Sequence, residues 1–253
     1  MAAAVFLIGC AACGGSTRPE LNVSAAISLS APLQDLAPRM EEAARARIAF
    51  DFGASNDLAR QILAARRADL FLSADEEQMD VVERAGLVEA GTRAPFLSNR
   101  LVIVVPSLSP LRELPDWIRF VRSGEGRLSI ADPESVPAGR YAKRWLQRGG
   151  QWEEVADRVV PALDARAALA AVESGAAEAG IVYRTDAALS RRIRVIDEGE
   201  APAGWDDQPK IVYVAAAIAD RPRPEKARAA LAFLRGSEAR AVFESYGFIV
   251  PGS

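Results

Sequence analysis

Residues 48–75, IAFDFGASNDLARQILAARRADLFLSAD, constrain the fold more than any other stretch of the chain. Ile48, Phe50 and Phe52 alternate with smaller or polar residues, the period of a short strand. Gly53-Ala54-Ser55 supplies a turn, and Asn56 carries a side-chain oxygen suited to capping a helix. Leu58, Ile62 and Leu63 then recur at helical spacing, with Arg60, Arg66 and Arg67 on the other face or at the end. Leu70-Phe71-Leu72 is a second apolar run. Strand, turn, helix, strand is a βαβ unit, which calls for a parallel sheet with a right-handed crossover. Its first turn leaves backbone N–H groups free at the positive end of a helix dipole, with the Ser55 hydroxyl beside them, so it can hold an anion. The same serine can equally cap its own helix.

The alternation continues along the chain, so the class is α/β. Leu21 to Ile27 reads as a strand of small residues, followed by a helix with Ser30 as its cap and a kink at Pro38, which lacks an N–H. Ser73-Ala74-Asp75-Glu76 opens a helix to about Ala85, stopped by Gly86. Leu101 to Val105 is wholly apolar, the pattern of a strand buried on both faces. Further strands are expected at 128–131, 159–163, 180–183, 193–196 and 211–218, and helices around Trp117, from Pro137 to about Gln147, from Ala165 to Glu173, at 225–234 and at 238–246. Asp164 is placed to cap the helix that starts at Ala165. Gly199 to Pro209 reads as a surface excursion.

Composition removes whole classes of chemistry. The chain has no histidine, which rules out Ser-His-Asp and Cys-His catalysis and histidine-based zinc sites. Its two cysteines, Cys10 and Cys13, both precede the first strand, so the body has neither a disulfide nor a cysteine metal cluster. The net charge of −3 gives no basic excess for nucleic acid. The opening MAAAVFLIG is too short to span a bilayer, and Leu7-Ile8-Gly9 before Cys10 has the form of a bacterial lipobox. Cleavage there would leave a lipidated Cys10, with Gly14-Gly15-Ser16-Thr17 as a tether. No Lys or Arg precedes the apolar run; a start a few residues further upstream would supply one.

Four strand-to-helix turns share one character: Ser28, Ser55, Ala138 and Ala165 each stand where a strand ends and helix N–H groups are free. In open α/β sheets ligands sit beyond the carboxyl ends of the strands. The segments AAISLS (25–30), FGASNDLARQI (52–62), DLFLSAD (69–75), NRLVIV (99–104), ADPESVPAGRYAKRWL (131–146), GIVYRTDA (180–187) and VFESYGF (242–248) resemble, in order, the periplasmic molybdate-binding proteins of ABC transporters.

That resemblance implies a periplasmic-binding-protein type II fold: two α/β lobes, a hinge of two crossovers and a ligand cleft between them. It puts a leader and tether in 1–20, lobe one in 21–102 plus 216–253 and lobe two in 103–215. It implies that Ser28 and Ser55 each give a hydroxyl and a backbone N–H. Ala138 and Ala165 would each give a backbone N–H, and Tyr183 its phenol. The metal, molybdenum or tungsten, would be held only as its oxyanion by these five residues. Ala165 replaces a valine of some relatives, a change that leaves a backbone contact intact. The implied ligand is molybdate or tungstate, with no cofactor. The implied partners are an ABC permease and its ATPase. A monomer is expected outside the cytoplasm, periplasmic or at the cell surface, held to a membrane by lipid alone and binding no nucleic acid.

Molybdate, tungstate and sulfate are dianions without a proton and need donors only. Hydrogen phosphate also needs an acceptor, and a site of hydroxyls and amides leaves its proton unpaired at about 1–3 kcal/mol. Sulfate or another tetrahedral oxyanion is the alternative cargo. A histidine-free enzyme on the same fold, with Ser55 as nucleophile, lacks an evident base. A regulator's sensing domain would need a helix-turn-helix, for which residues 1–20 are too few and too apolar. Arg140, Arg166 and Arg184 flank the expected site and read as a solvated surface. Trp117, Trp145, Trp152 and Trp205 read as packing residues, with Trp205 also a candidate permease contact.

Overall fold

The structure, a computed structural model, describes residues 19–112, 119–120, 123–196 and 208–251. The expected leader with Cys10, all of the expected helix around Trp117 but residues 119–120, which are helical, most of the 199–209 excursion and Trp205 lie outside these residues.

In chain order the described elements begin with β1 (Glu20–Ala26), α1 (Ser30–Ala44), β2 (Arg47–Gly53), α2 (Ser55–Ala65), β3 (Leu70–Ser73), α3 (Glu76–Arg84) and β4 (Ala94–Asn99). They continue with β5 (Leu101–Pro106), β6 (Leu128–Ala131), α4 (Pro137–Arg148), α5 (Trp152–Val155), β7 (Val159–Ala162), α6 (Ala165–Glu173), β8 (Ala179–Tyr183), α7 (Arg184–Ala188) and β9 (Ile193–Val195). β10 (Ile211–Ala217), α8 (Pro224–Leu234) and α9 (Ser237–Ser245) close the chain.

They form two five-stranded sheets built on one plan, β2-β1-β3-β10-β4 and β7-β6-β8-β5-β9. In each, three parallel strands are followed by one antiparallel strand that arrives from the other half of the chain. This is the two-lobe α/β type II architecture. The βαβ unit of residues 48–75 is present, with β1 inserted between its two strands.

The side-chain period of two explains why both sheets are covered on both faces. Leu70 and Leu72 of β3 join the core under α1, while Phe71 between them joins Leu58, Ile62, Met79 and Val82 on the opposite face. In β5, Leu101, Ile103 and Val105 face one core, and Val102 and Val104 the other. The chain passes from the first sheet to the second at Arg100, between β4 and β5, and is back in the first sheet at Ile211. Val102 and Ala215, expected near the crossovers, lie inside β5 and β10.

Several local expectations are corrected. Strand β4, APFLSN, has no clear alternation and was not anticipated; it pairs with β10 across an irregularity at Tyr213/Val214. Ser30 does not cap α1: it is the first helical residue, and its hydroxyl donates to Ile27 O at 2.7 Å. Asn56 does not cap α2, which starts one residue earlier, with Ala54 as its cap. The cap of α3 is Asp75, whose carboxylate accepts from Gln78 N at 3.0 Å, and not Ser73. Asp164 does cap α6, accepting from Ala167 N at 2.8 Å. Trp145 is core, and Trp152 packs against it with the Lys143 ammonium 5.0 Å above its ring.

Candidate functional site

One cleft collects the strand ends of both lobes. Lobe one contributes the turn Ile27–Leu29 after β1 and the start of α2 after β2. Lobe two contributes the starts of α4 and α6 and the end of β8. Ser28, Ser55, Ala138, Ala165 and Tyr183, the five residues singled out from sequence, all line it. All five are at least 96% buried.

Sequence chemistry explains each position. Pro137 in the first turn of α4 costs no hydrogen bond, because a helix start has free N–H groups in any case. Gly139 is required by close packing: a Cβ there would lie 2.0 Å from Ala131 O and 2.4 Å from Asp132 O. The glycine therefore lets the first turn of α4, with Ala138 in it, sit directly on the end of β6. The starts of α2, α4 and α6 bring free N–H groups and positive dipole ends to one place.

The hydroxyls are arranged for something other than helix capping. Ser55 makes no cap bond to its own helix; its Oγ accepts from Ala74 N at 3.0 Å, from the loop after β3. The alternative that Ser55 caps its own helix is thus set aside. Ser28 Oγ lies 2.9 Å from the hydroxyl of Tyr213. Tyr183 is buried, and among the described residues its hydroxyl has no hydrogen-bond partner. Burial pushes its phenol well above the ordinary range, so it keeps its proton and is free to donate it. Among the described residues no Lys or Arg lines the cleft, and Asp164, the one acid among them that does, is occupied as the cap of α6.

The flanking arginines differ from the solvated surface expected of them. Arg140 is drawn across the cleft to Asp75, at 3.5 Å, and to Glu77, and Arg144 reaches Glu77 at 2.5 Å. Arg166 stands 3.8 Å from Asp186, a buried carboxylate that burial pushes up to about 7. Only Arg184 is exposed as expected.

Sequence reasoning missed Tyr213 and Asn99 as neighbours of the site. Tyr213 is the single polar side chain in the apolar run IVYVAAAI, and a lone hydroxyl in a buried strand was the available signal. Its ring is held edge-on by Phe248, 5.5 Å between centroids, and Phe248 rests on Phe243 of α9. The C-terminal VFESYGF segment thus supports the site from behind.

Comparison with known proteins agrees with this geometry. Residues 21–249 match the family model of the bacterial extracellular solute-binding proteins. The chain is 35% identical to the molybdate-binding protein ModA of Escherichia coli, over 91% of this chain and 89% of that protein. It is 31% identical to ModA of Haemophilus influenzae, over 90% and 89% respectively. The solved periplasmic molybdate-binding protein of Azotobacter vinelandii, at 22% identity, superposes with a TM-score of 0.76 over 91% of this chain and 99% of that one, which shows the shared fold. The chain belongs to the bacterial extracellular solute-binding proteins and, within them, to the family of the molybdate-binding proteins.

Proposed function

We propose that this protein captures molybdate or tungstate outside the cytoplasm and hands it to an ABC permease driven by an ATPase, catalysing nothing itself. The observation that carries the reading is the Tyr183 hydroxyl, buried in the cleft without a partner among the described residues. A buried donor left unpaired costs about 1–3 kcal/mol, which an oxyanion accepting its proton would recover. The two serine hydroxyls and the amides at Ala138 and Ala165 complete a set of donors around it. Oriented dipoles in a dry cleft then stand in for counter-ions, which fits a lining without Lys or Arg among the described residues.

In this reading the lobes open and close about two passages of chain, one at Arg100 and one ahead of Ile211. Strand segments at both passages give a stiff hinge with a defined arc. The protein works as a monomer, and a lipidated Cys10 holds it to the membrane; mass spectrometry of the native protein would find an unmodified Cys10 if that anchor is wrong.

Calorimetric titration of the anion-stripped protein tests the cargo. Molybdate and tungstate should bind at least a hundredfold more tightly than hydrogen phosphate. Sulfate binding as tight as molybdate would make sulfate the cargo, and no binding of any of the four would overturn the reading.

A further inference from the structure

We propose that Asn99, acting through Tyr213, holds the Ser28 hydroxyl as a donor toward the cleft, and that this pair sets the preference for proton-free oxyanions over hydrogen phosphate. The inference deepens the oxyanion reading of the cleft and rests on it.

The direction of each hydrogen bond follows from the one before. The backbone N–H of Arg100 can only donate, so the atom it meets at 2.8 Å is the amide oxygen of Asn99. The amide nitrogen of Asn99 therefore faces the other way, toward Thr185 Oγ1 at 2.9 Å and the Tyr213 hydroxyl at 3.3 Å. It has two hydrogens, one for each. The Tyr213 oxygen accepts one of them. Tyr213 is fully buried, and the partners of its hydroxyl among the described residues are Asn99 and Ser28. Its own proton must then go to Ser28 Oγ, 2.9 Å away. If Ser28 donated to Tyr213 instead, the tyrosine proton would be buried without an acceptor, at about 1–3 kcal/mol. Ser28 is left with its own proton unspent, and it lines the cleft.

The second serine reaches the same condition by a shorter route. The donor to Ser55 Oγ is the backbone N–H of Ala74, which cannot reverse. Ser28 differs because its donor is a hydroxyl, and a hydroxyl can turn round. Asn99 is what stops it turning. Ser28 can accept a ligand's proton only by stranding its own, since no protein acceptor for that proton is present among the described residues.

The proposal makes Asn99→Asp a reversal. A carboxylate at this position would still accept from Arg100 N, and would take the Tyr213 proton instead of supplying one. Tyr213 would then accept from Ser28, whose lone pair would face the cleft. The added negative charge weakens every dianion, so the readout is a ratio: the affinity for molybdate over that for hydrogen phosphate, both measured by calorimetry at about pH 8. Asn99→Asp should lower this ratio at least tenfold. In the Tyr213→Phe background, where the relay is cut, the same substitution should change it less than threefold. An unchanged ratio in a cooperatively melting Asn99→Asp protein, or an equal fall in both backgrounds, overturns the relay.

The unmodified protein provides a second arm that needs no variant to fold. Monofluorophosphate has the shape and charge of hydrogen phosphate without its proton, and should bind at least tenfold more tightly; equal binding overturns the proposal. Should the protein bind sulfate and not molybdate, the cargo is wrong, and the same ratios measured with sulfate still decide the relay.

Discussion

Beside the crossovers the lobes meet through neutral groups, and at the solvent-facing rim they meet through charges. Asn99, Thr185 and Tyr213 are buried and share hydrogen bonds, and the Gln208 amide bonds both N and O of Leu101 much as a strand partner would. At the rim, Asp75 and Glu77 of lobe one face Arg140 and Arg144 of lobe two, with Glu77 and Arg144 about half exposed. Under the proposed opening of the lobes, the difference matches what each side does when they part. Contacts near a hinge persist through the motion, so they need fixed partners, and a neutral buried bond keeps its geometry whatever the salt or pH. In that proposed motion, contacts at the rim must break on every cycle. Glu77 and Arg144 are cheap to separate because water takes each one back, and exposed pairs contribute only about 0–1 kcal/mol; Arg140 and Asp75, being largely buried, cost more.

Asp186 breaks the pattern and is its most severe test. It lies on the neutral side, one residue past Thr185, almost wholly buried, and among the described residues neither carboxylate oxygen accepts a hydrogen bond. Burial raises its pKa from 3.8 to about 7, against the pull of Arg166, with Asp164 adding to the rise. A carboxyl whose pKa is higher folded than unfolded favours folding fully below the unfolded value and loses that contribution as pH climbs to the folded one. Asp186→Asn should therefore match the parent below about pH 4 and exceed it increasingly up to about pH 7. Above that the gain should level off at up to about 4 kcal/mol. Chemical denaturation of both proteins from pH 4 to 9 measures it, and parallel curves would mean that the ionised side chain is accommodated after all.

Tyr183 sharpens the comparison from within the site. A core tyrosine and a ligand donor predict different outcomes. If its hydroxyl serves only packing, Tyr183→Phe leaves anion affinity alone. If it serves the oxyanion, affinity falls by about 1.5–3 kcal/mol, or ten- to more than a hundredfold, as for a hydrogen bond to a charged group. The anion-free protein should meanwhile melt no lower than the parent, because the substitution removes a buried donor that has no protein partner. Calorimetry and a melting curve on the same sample read both outcomes.

The neutral side was only partly legible in the sequence, for a physical reason. Ser28, Ser55, Ala138 and Ala165 stand at strand-to-helix turns, a local pattern that can be read along the chain. Tyr183 entered through the family resemblance alone. Asn99 and Tyr213 are 114 positions apart and meet only because β4 and β10 pair. Strand β4 itself was missed because it takes its place from β10 and not from any alternation of its own. Arg140 of the rim was misread for the converse reason. Nothing beside it in the sequence claims its charge, and the acids that do lie some sixty residues away, at the start of α3.

The rim offers the smallest effects and the most selective one. Arg140 carries the charge that Asp75 faces, and Asp75 is buried enough for its pKa to be raised despite Gln78 N–H and Arg140. Arg140→Ala should weaken anion binding about three- to tenfold without touching the anion, because it removes attraction from the closed state and leaves the Asp75 carboxylate with only the Gln78 N–H and the Ser73 hydroxyl. Arg144→Ala removes only a half-exposed pair and should cost threefold or less. Both losses should shrink as salt is raised from about 0.05 to 0.5 M, since screening weakens the parent's rim pairs toward the variant's condition. The loss in Tyr183→Phe should stay constant over the same range after correction for the anion's own activity. A salt series on the three variants thus separates the two sides directly: equal salt slopes would show that the rim does not act as an electrostatic latch, and that the lobes close through the donors of the cleft alone.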